Sequence, residues 1–224
     1  MNLTEETLAV LKNFASINPN IVVNEGNVLN TIAESKTVLA SAQVSETFPV
    51  EFGIYDLNEF ISVLSLVDNP SLNFEKDYVV ISDGAGRSRS KYFYAEKEVL
   101  TTPKKQIVMP ESEVSFRLTK DTLQKVRKAA AVLGHDELSI SVIDNTLSLS
   151  IVDSSDVTSN AFSIDIDGDY DNPVFNFVFD IRNLKMVDGD YDVKISSKLI
   201  SHFVNVDTGA QYWCALEKNS SYGE

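Results

Sequence analysis

Residues able to carry hydrolytic, redox or metal chemistry are few in this chain and poorly spaced for it. There are two histidines, His135 in a turn-like GHDE and His202 in the apolar stretch SHFVNV. No HExxH occurs, and nothing sets two imidazoles on one helix face to share a metal. The single cysteine, Cys214, alternates with aromatic and aliphatic neighbours in QYWCAL, the pattern of a buried strand. One thiol excludes an internal disulfide and any multi-cysteine zinc site. The stretch DIDGDYDN, Asp165 to Asn172, invites a calcium reading. With Gly168 in the sixth slot of an EF-hand loop, however, the twelfth falls on Val174 instead of a bidentate glutamate. The pentapeptide DGDYD recurs at Asp188 to Asp192; Asp-Gly ahead of an alternating run is a turn signal, so two solvated loops are expected. SDGAGRSRSK, Ser82 to Lys91, lacks the GxxxxGK[ST] spacing of a phosphate loop and reads as a hairpin turn. A cation-dependent enzyme built on Asp165, Asp167 and Asp169 would have no nucleophile, base or pocket signature beside it. The expectation is a protein that is not an enzyme, with no metal and no cofactor.

The elements that would position any site are short. Alternating segments such as IVVNEGNVLNTI, YVVISD, VSFRL, LSISVIDNTLSLSIVD, FNFVFD and YDVKIS read as strands separated by turns. Four places carry a helical period: Thr4 to Ala15, Leu57 to Val67, Thr119 to Leu133, and a short one near Ile181 to Val187. The layout of the first half recurs in the second. Leu3-Thr4-Glu5-Glu6-Thr7-Leu8 parallels Leu118-Thr119-Lys120-Asp121-Thr122-Leu123, each with a threonine cap and an acid in the first turn. Ile54 to Phe60 likewise parallels Phe177 to Leu184 in strand, aspartate and helix. A duplicated α+β domain of two helices on antiparallel sheet follows, spanning 1–108 and 109–224, with an extended connector over about 95–113 that contains Pro103 and Pro110. The 224 residues suffice for two such domains. The opening MNLTEETLAVLKNF lacks a signal peptide's basic and apolar blocks, and no apolar run approaches the ~18 residues of a membrane span, so a cytoplasmic protein is expected.

Charge placement is the sharpest functional signal. The chain carries −14 overall, which opposes adsorption to a polyanion over the whole surface. Arg117 to Leu133 nevertheless holds Arg117, Lys120, Lys125, Arg127 and Lys128 against Asp121 alone, and Asp180 to Val187 adds Arg182 and Lys185 against Asp180. The remainder of the chain stands at −19. On a helix, Leu123, Val126, Ala130 and Leu133 share one side while the cations take the other. Arg182 and Lys185, three apart on the short fourth helix, would point the same way. Two basic faces in so acidic a chain imply a polyanion met at one designated place.

LKNFASIN (Leu11 to Asn18), IYDLNEFISVLSLVDN (Ile54 to Asn69), GDYDNPVFNFVFDIRNLKM (Gly168 to Met186) and the terminal YWCALE resemble the DNA polymerase sliding clamps of T-even-type tailed bacteriophages. The likeness touches both halves and is weakest from Gly84 to Glu113. It implies a DNA clamp fold, with two similar domains per subunit and three subunits closing head to tail into a ring with helices lining the hole. The implied function is a processivity factor that encircles double-stranded DNA without reading sequence and tethers the replicative polymerase. Implied partners are an ATP-dependent clamp loader and late-transcription factors, with no membrane, in the cytoplasm of an infected bacterium. Carried over by helix, Lys12, Lys120, Lys125, Arg127, Lys128, Arg182 and Lys185 would face DNA. Leu100, Ile107, Val108, Met109 and Leu216 would form an apolar pocket for a client peptide beside the connector. Glu5 and Glu6 on the first helix predict a lining that is basic mainly in the second domain. The alternative is a non-catalytic β-rich structural or assembly protein of a phage.

Overall fold

The structure is a computed structural model that describes residues 1–104, 107–156 and 158–223. Lys105 and Gln106 of the expected connector lie outside the described residues. The chain divides into two compact units, Met1–Gln106 and Ile107–Glu224. In the first, α1 (Glu5–Ile17) begins at Thr4, whose extended backbone lets its hydroxyl accept from the Thr7 amide at 3.2 Å, satisfying one orphan donor of the first turn. Thr7, Leu11, Phe14 and Ala15 make its buried stripe. Strands β1 (Ile21–Val23) and β4 (Phe52–Ile54) pair antiparallel, as do β2 (Gly26–Ile32) and β3 (Val38–Phe48).

β3 points every second side chain inward, and one of these is the acid Glu46. Its carboxylate accepts from the Thr4 amide and the Thr7 hydroxyl, pinning the start of α1 to the strand. Burial alone would raise the Glu46 carboxyl; the bonds from Thr7 and Thr4 outweigh it and hold the group below the usual glutamate range. α2 (Leu57–Ser65) starts at Asp56, which accepts from the Asn58 and Glu59 amides at 2.9 and 3.1 Å, and buries Leu57, Phe60 and Leu64. A meander of β5 (Ser71–Phe74), β6 (Tyr78–Ser82) and β7 (Arg89–Phe93) follows. In its turn Asp83 accepts from the Arg87 and Ser88 amides, fixing the expected hairpin.

The second unit repeats the opening. β8 (Val114–Leu118) leads into α3 (Lys120–Leu133), capped by Thr119, whose hydroxyl accepts from the Thr122 amide at 3.1 Å, and stopped by Gly134 at φ 72°. β9 (Glu137–Ile143) and β10 (Thr146–Val152) turn at Asp144 and Asn145, both left-handed at φ 49° and 64°, as a tight hairpin requires. After β11 (Phe162–Ile166) come β12 (Gly168–Tyr170), β13 (Phe175–Asp180), β14 (Tyr191–Ser196), β15 (Ile200–Asn205), β16 (Gln211–Ala215) and β17 (Ser221–Tyr222). One antiparallel sheet runs β11-β10-β9-β13-β17, and the strands β12-β8-β14-β15-β16 are likewise consecutive neighbours. Their inner faces close on Leu123 and Val126 of α3 with Phe116, Leu138, Ile140, Leu149, Phe179 and Phe203. Cys214 is fully buried, its thiol 3.8 Å from the Asn183 carbonyl and pushed up to about 12 by burial.

Two expectations need correction. Ile181–Asn183 is a single 3-10 turn instead of a helix reaching Val187, so the second unit has one α-helix where two were expected. The first DGDYD copy is also no loop: Gly168, Asp169 and Tyr170 pair with Phe116, Ser115 and Val114 of β8.

Candidate nucleic-acid interface

α3 presents the cations as its periodicity dictates. Lys120, Gln124, Lys125 and Lys128 are exposed along the side opposite Leu123, Val126 and Ala130. Lys125 reaches Asp121 one turn back at 2.7 Å and Lys120 reaches Asp188 at 3.0 Å, all four side chains at least half exposed. Among the described residues Lys128 has no ion pair. Exposed pairs of this kind are worth at most about 1 kcal/mol, and each ammonium keeps further donors, so a phosphate can displace Asp121 or Asp188 at little cost. Flexible exposed ammonium groups of this kind offer charge without a fixed shape.

Arg127 and Arg182, expected on the same basic faces, are occupied within the protein. Arg127 is half-buried and donates to the Leu184 carbonyl; burial pulls its guanidinium down, with Tyr191 and Asp188 acting the other way. Arg182 spans Asp180 at 2.7 Å and Asp136 at 3.0 Å; its hydrogen bonds to Asp180 push it above the usual arginine value. It lines a groove of about 640 Å³ with Asp136, Glu137, Asp180, Glu217 and Lys218, four acids against two bases. The segment beyond the 3-10 turn, here the strap (184–190), is held by side chains where a helix would hold itself. The Tyr191 hydroxyl donates to the Val187 carbonyl, and the Val187 amide donates to the Tyr212 hydroxyl at 3.3 Å. The Lys120 amide donates to Asp190 at 2.8 Å. Within the strap Leu184 and Met186 are buried, and Lys185 is exposed. The tyrosines were not singled out from sequence, although a tyrosine at an inward strand position must find a partner for its hydroxyl.

Residues 4–109 match the family described as DNA polymerase processivity factor, and residues 115–218 match the C-terminal domain of the gp45 sliding clamp. The sliding clamp of Vibrio phage KVP40 is 34% identical over 223 residues, covering 97% of this chain and 99% of that one. The chain belongs to the sliding-clamp family. The sliding clamps of Escherichia phage RB69 and Enterobacteria phage T4 are each 30% identical, with 99% of both chains covered. The fold extends further: proliferating cellular nuclear antigen from Entamoeba histolytica superposes with a TM-score of 0.68 at 15% identity, covering 94% of each chain. The assembly-protein alternative is thereby displaced.

Other residues assigned by resemblance are distributed between the two units. Lys12 is exposed on α1, beside a turn that exposes Glu5 and Glu6; α2 exposes Asn58, Glu59, Ser62 and Ser65. The strong cationic face is that of α3. In the first unit Leu100 is buried and closes on Gly53, where an added Cβ would lie 2.7 Å from the leucine Cδ1. In the second unit Leu216 is buried, Ile107 and Met109 are half-buried, and Val108 is 86% exposed. His202 stacks on Trp213 at 4.6 Å and meets Gln211 at 2.9 Å, a packing role. Among the described residues no three His, Cys, Asp or Glu side chains gather as a metal would need, and no helix is long and apolar enough to cross a membrane.

Proposed function

We propose that three copies of this chain close head to tail around duplex DNA and hold the replicative polymerase on its template, without catalysing a reaction. The observation that carries this reading is the exposed lysine face of α3 in a chain of −14, combined with family membership. Lys120, Lys125 and Lys128, with Lys12 and Lys185, touch phosphates loosely, so that affinity comes from counterion release and the ring slides. Arg127 and Arg182 contribute through structure. An ATP-dependent loader opens the ring, late-transcription factors are further clients, and the work takes place in the cytoplasm of the infected bacterium. A client peptide's apolar side chains rest on Val108 with Ile107, Met109 and Leu216 of the second unit, while Leu100 packs within the first.

Among the sheet edges of the described residues, two of opposite charge support self-association. Among the described residues nothing pairs with the outer edges of β7 and β11, and unpaired edges are templates for strand addition. β7 exposes Arg89, Lys91 and Phe93, the last 67% exposed. β11 exposes Asp165 within a stretch, 144–171, of seven aspartates and no base. One edge of each kind per chain makes the contact heterologous, and such contacts close into rings when the rotation fits.

Sedimentation equilibrium tests the assembly: the expected mass is about three times the 24.8 kDa subunit. Retention on circular DNA tests the topology, because a loaded ring should stay on a nicked circle and run off once the circle is cut. A monomer that binds circles and linear DNA equally would overturn the proposal.

A further inference from the structure

The strap (184–190) and the two arginines beside it leave a question that the cationic face alone does not answer. In the first unit an aspartate cap, Asp56, launches a nine-residue helix. In the second unit the equivalent Asp180 accepts from the Arg182 amide at 2.9 Å and launches one 3-10 turn. Val187, Asp188 and Gly189 then follow, a run that disfavours helix. The Leu184 amide closes the 3-10 turn on the Ile181 carbonyl at 3.1 Å, while the Leu184 carbonyl and both backbone groups of Val187 find partners in side chains from elsewhere. Arg127 from α3 takes the Leu184 carbonyl, while Tyr191 and Tyr212 take the carbonyl and amide of Val187. These bonds bracket Lys185, an exposed cation on irregular backbone. Both tyrosines are fully buried, and burial lifts the Tyr191 hydroxyl to about 12, so it remains a donor across the working pH range.

We infer that Arg127 is a positioning residue: with Tyr191 and Tyr212 it fixes the strap so that Lys185 is presented to the DNA phosphates, and its own guanidinium does not touch them. The inference rests on the proposed DNA-facing role of Lys185. It separates two groups of cations that sequence cannot tell apart. Lys125 and Lys128 meet phosphate from a self-supporting helix, whereas the place of Lys185 depends on side chains from α3, β14 and β16.

The test is the salt dependence of binding to short linear duplexes, onto which the ring threads from an end. It uses the full-length protein and the variants Lys185→Met, Arg127→Met, Tyr191→Phe and the combinations with Lys185→Met. Each neutralised phosphate adds about 0.9 to the slope of log K against log salt. Lys185→Met should lower the slope by about that amount for each phosphate its ammonium neutralises. Arg127→Met and Tyr191→Phe should lower it equally, and neither should lower it further in the Lys185→Met background. Tyr191→Phe is the stringent case, because it removes no charge and keeps the ring that packs in the core. Amide exchange at Val187, whose N–H donates to the Tyr212 hydroxyl, should quicken roughly 2- to 10-fold in Arg127→Met and Tyr191→Phe, because a strap that has lost one carbonyl partner opens more often. A further fall in slope when Arg127→Met is added to Lys185→Met would show Arg127 on the phosphates and overturn the inference. So would an unchanged slope in Tyr191→Phe while Lys185→Met lowers it. If Lys185→Met itself leaves the slope unchanged, the DNA-facing role of that lysine fails and the inference falls with it, whatever the exchange rates read.

Discussion

Glu46 and the lysines of α3 are charges in opposite circumstances, and their substitutions should separate accordingly. Glu46 is 8% exposed and holds two donors from the first turn of α1. Glu46→Gln keeps the shape but removes the charge and turns one donor toward another, which should cost about 1–2 kcal/mol at neutral pH in urea unfolding. The sign of the pH dependence follows from the depressed carboxyl. Its contribution is complete above the ordinary glutamate value of 4.5 and disappears as pH falls through the lower folded value. The gap between wild type and Glu46→Gln should therefore close in acid; a gap that stayed constant would assign the effect to packing. Lys125 and Lys128 lie on open helix surface, where a substitution moves stability by less than about 0.5 kcal/mol. Lys125→Ala with Lys128→Ala should keep the melting temperature and the oligomer mass while the salt slope of DNA binding becomes shallower. An unchanged slope would remove both residues from the DNA path.

At the scale of elements, what sequence could reveal depended on whether an element supports itself. α1, α2 and α3 were legible because each has a side-chain cap, a stripe of apolar residues and enough length to propagate, and the threonine caps 115 residues apart formed as the repeat required. The basic face of α3 was legible for the same reason. The strap was not, since Asp180, Arg182 and Leu184 carry the same local signals as a helix start while the bonds that decide the outcome come from Arg127, Tyr191 and Tyr212, outside the segment itself. The two DGDYD copies make the point most directly. In the second copy Gly189 adopts φ 148° in a turn before β14. In the first, Gly168 lies within β12 because nothing larger fits: an added Cβ would stand 2.6 Å from the Leu147 Cδ2 and 2.8 Å from the Phe116 Cβ. Gly168→Ala should therefore destabilise the second unit by about 1–3 kcal/mol through overpacking. Thermal unfolding measures it, and a destabilisation below about 0.5 kcal/mol would mean that β12 can move away from β8.

For the whole molecule, the decisive property is whether the edge of β7 in one copy meets the edge of β11 in the next. Arg89 and Lys91 on one edge and Asp165 with Asp167 just beyond the end of β11 on the other give the contact a charge polarity, and opposite-charge pairs across strands contribute roughly 0.2–1 kcal/mol each. Reversing one edge, as in Arg89→Glu with Lys91→Glu, sets acid against acid and should raise the dissociation constant on the order of tenfold per interface. Reversing the other edge, Asp165→Lys with Asp167→Lys, should do the same with base against base. All four changes on one chain restore opposite charges at every contact, so the three-subunit mass should return. A mixture of the two half-reversed chains behaves differently. Each unlike pair attracts and each like pair repels, so favourable contacts require strict alternation around the ring, and three positions cannot alternate. The best three-chain ring keeps one repelling contact, so the mixture should hold its three-subunit mass less tightly than the wild type, which sedimentation velocity over a dilution series measures. A mixture that holds the trimer as tightly as the wild type would show that these edges do not carry the contact. Raising salt from 0.1 to 1 M shortens the screening length from about 10 to 3 Å and should weaken the wild-type trimer in the same direction as either reversal.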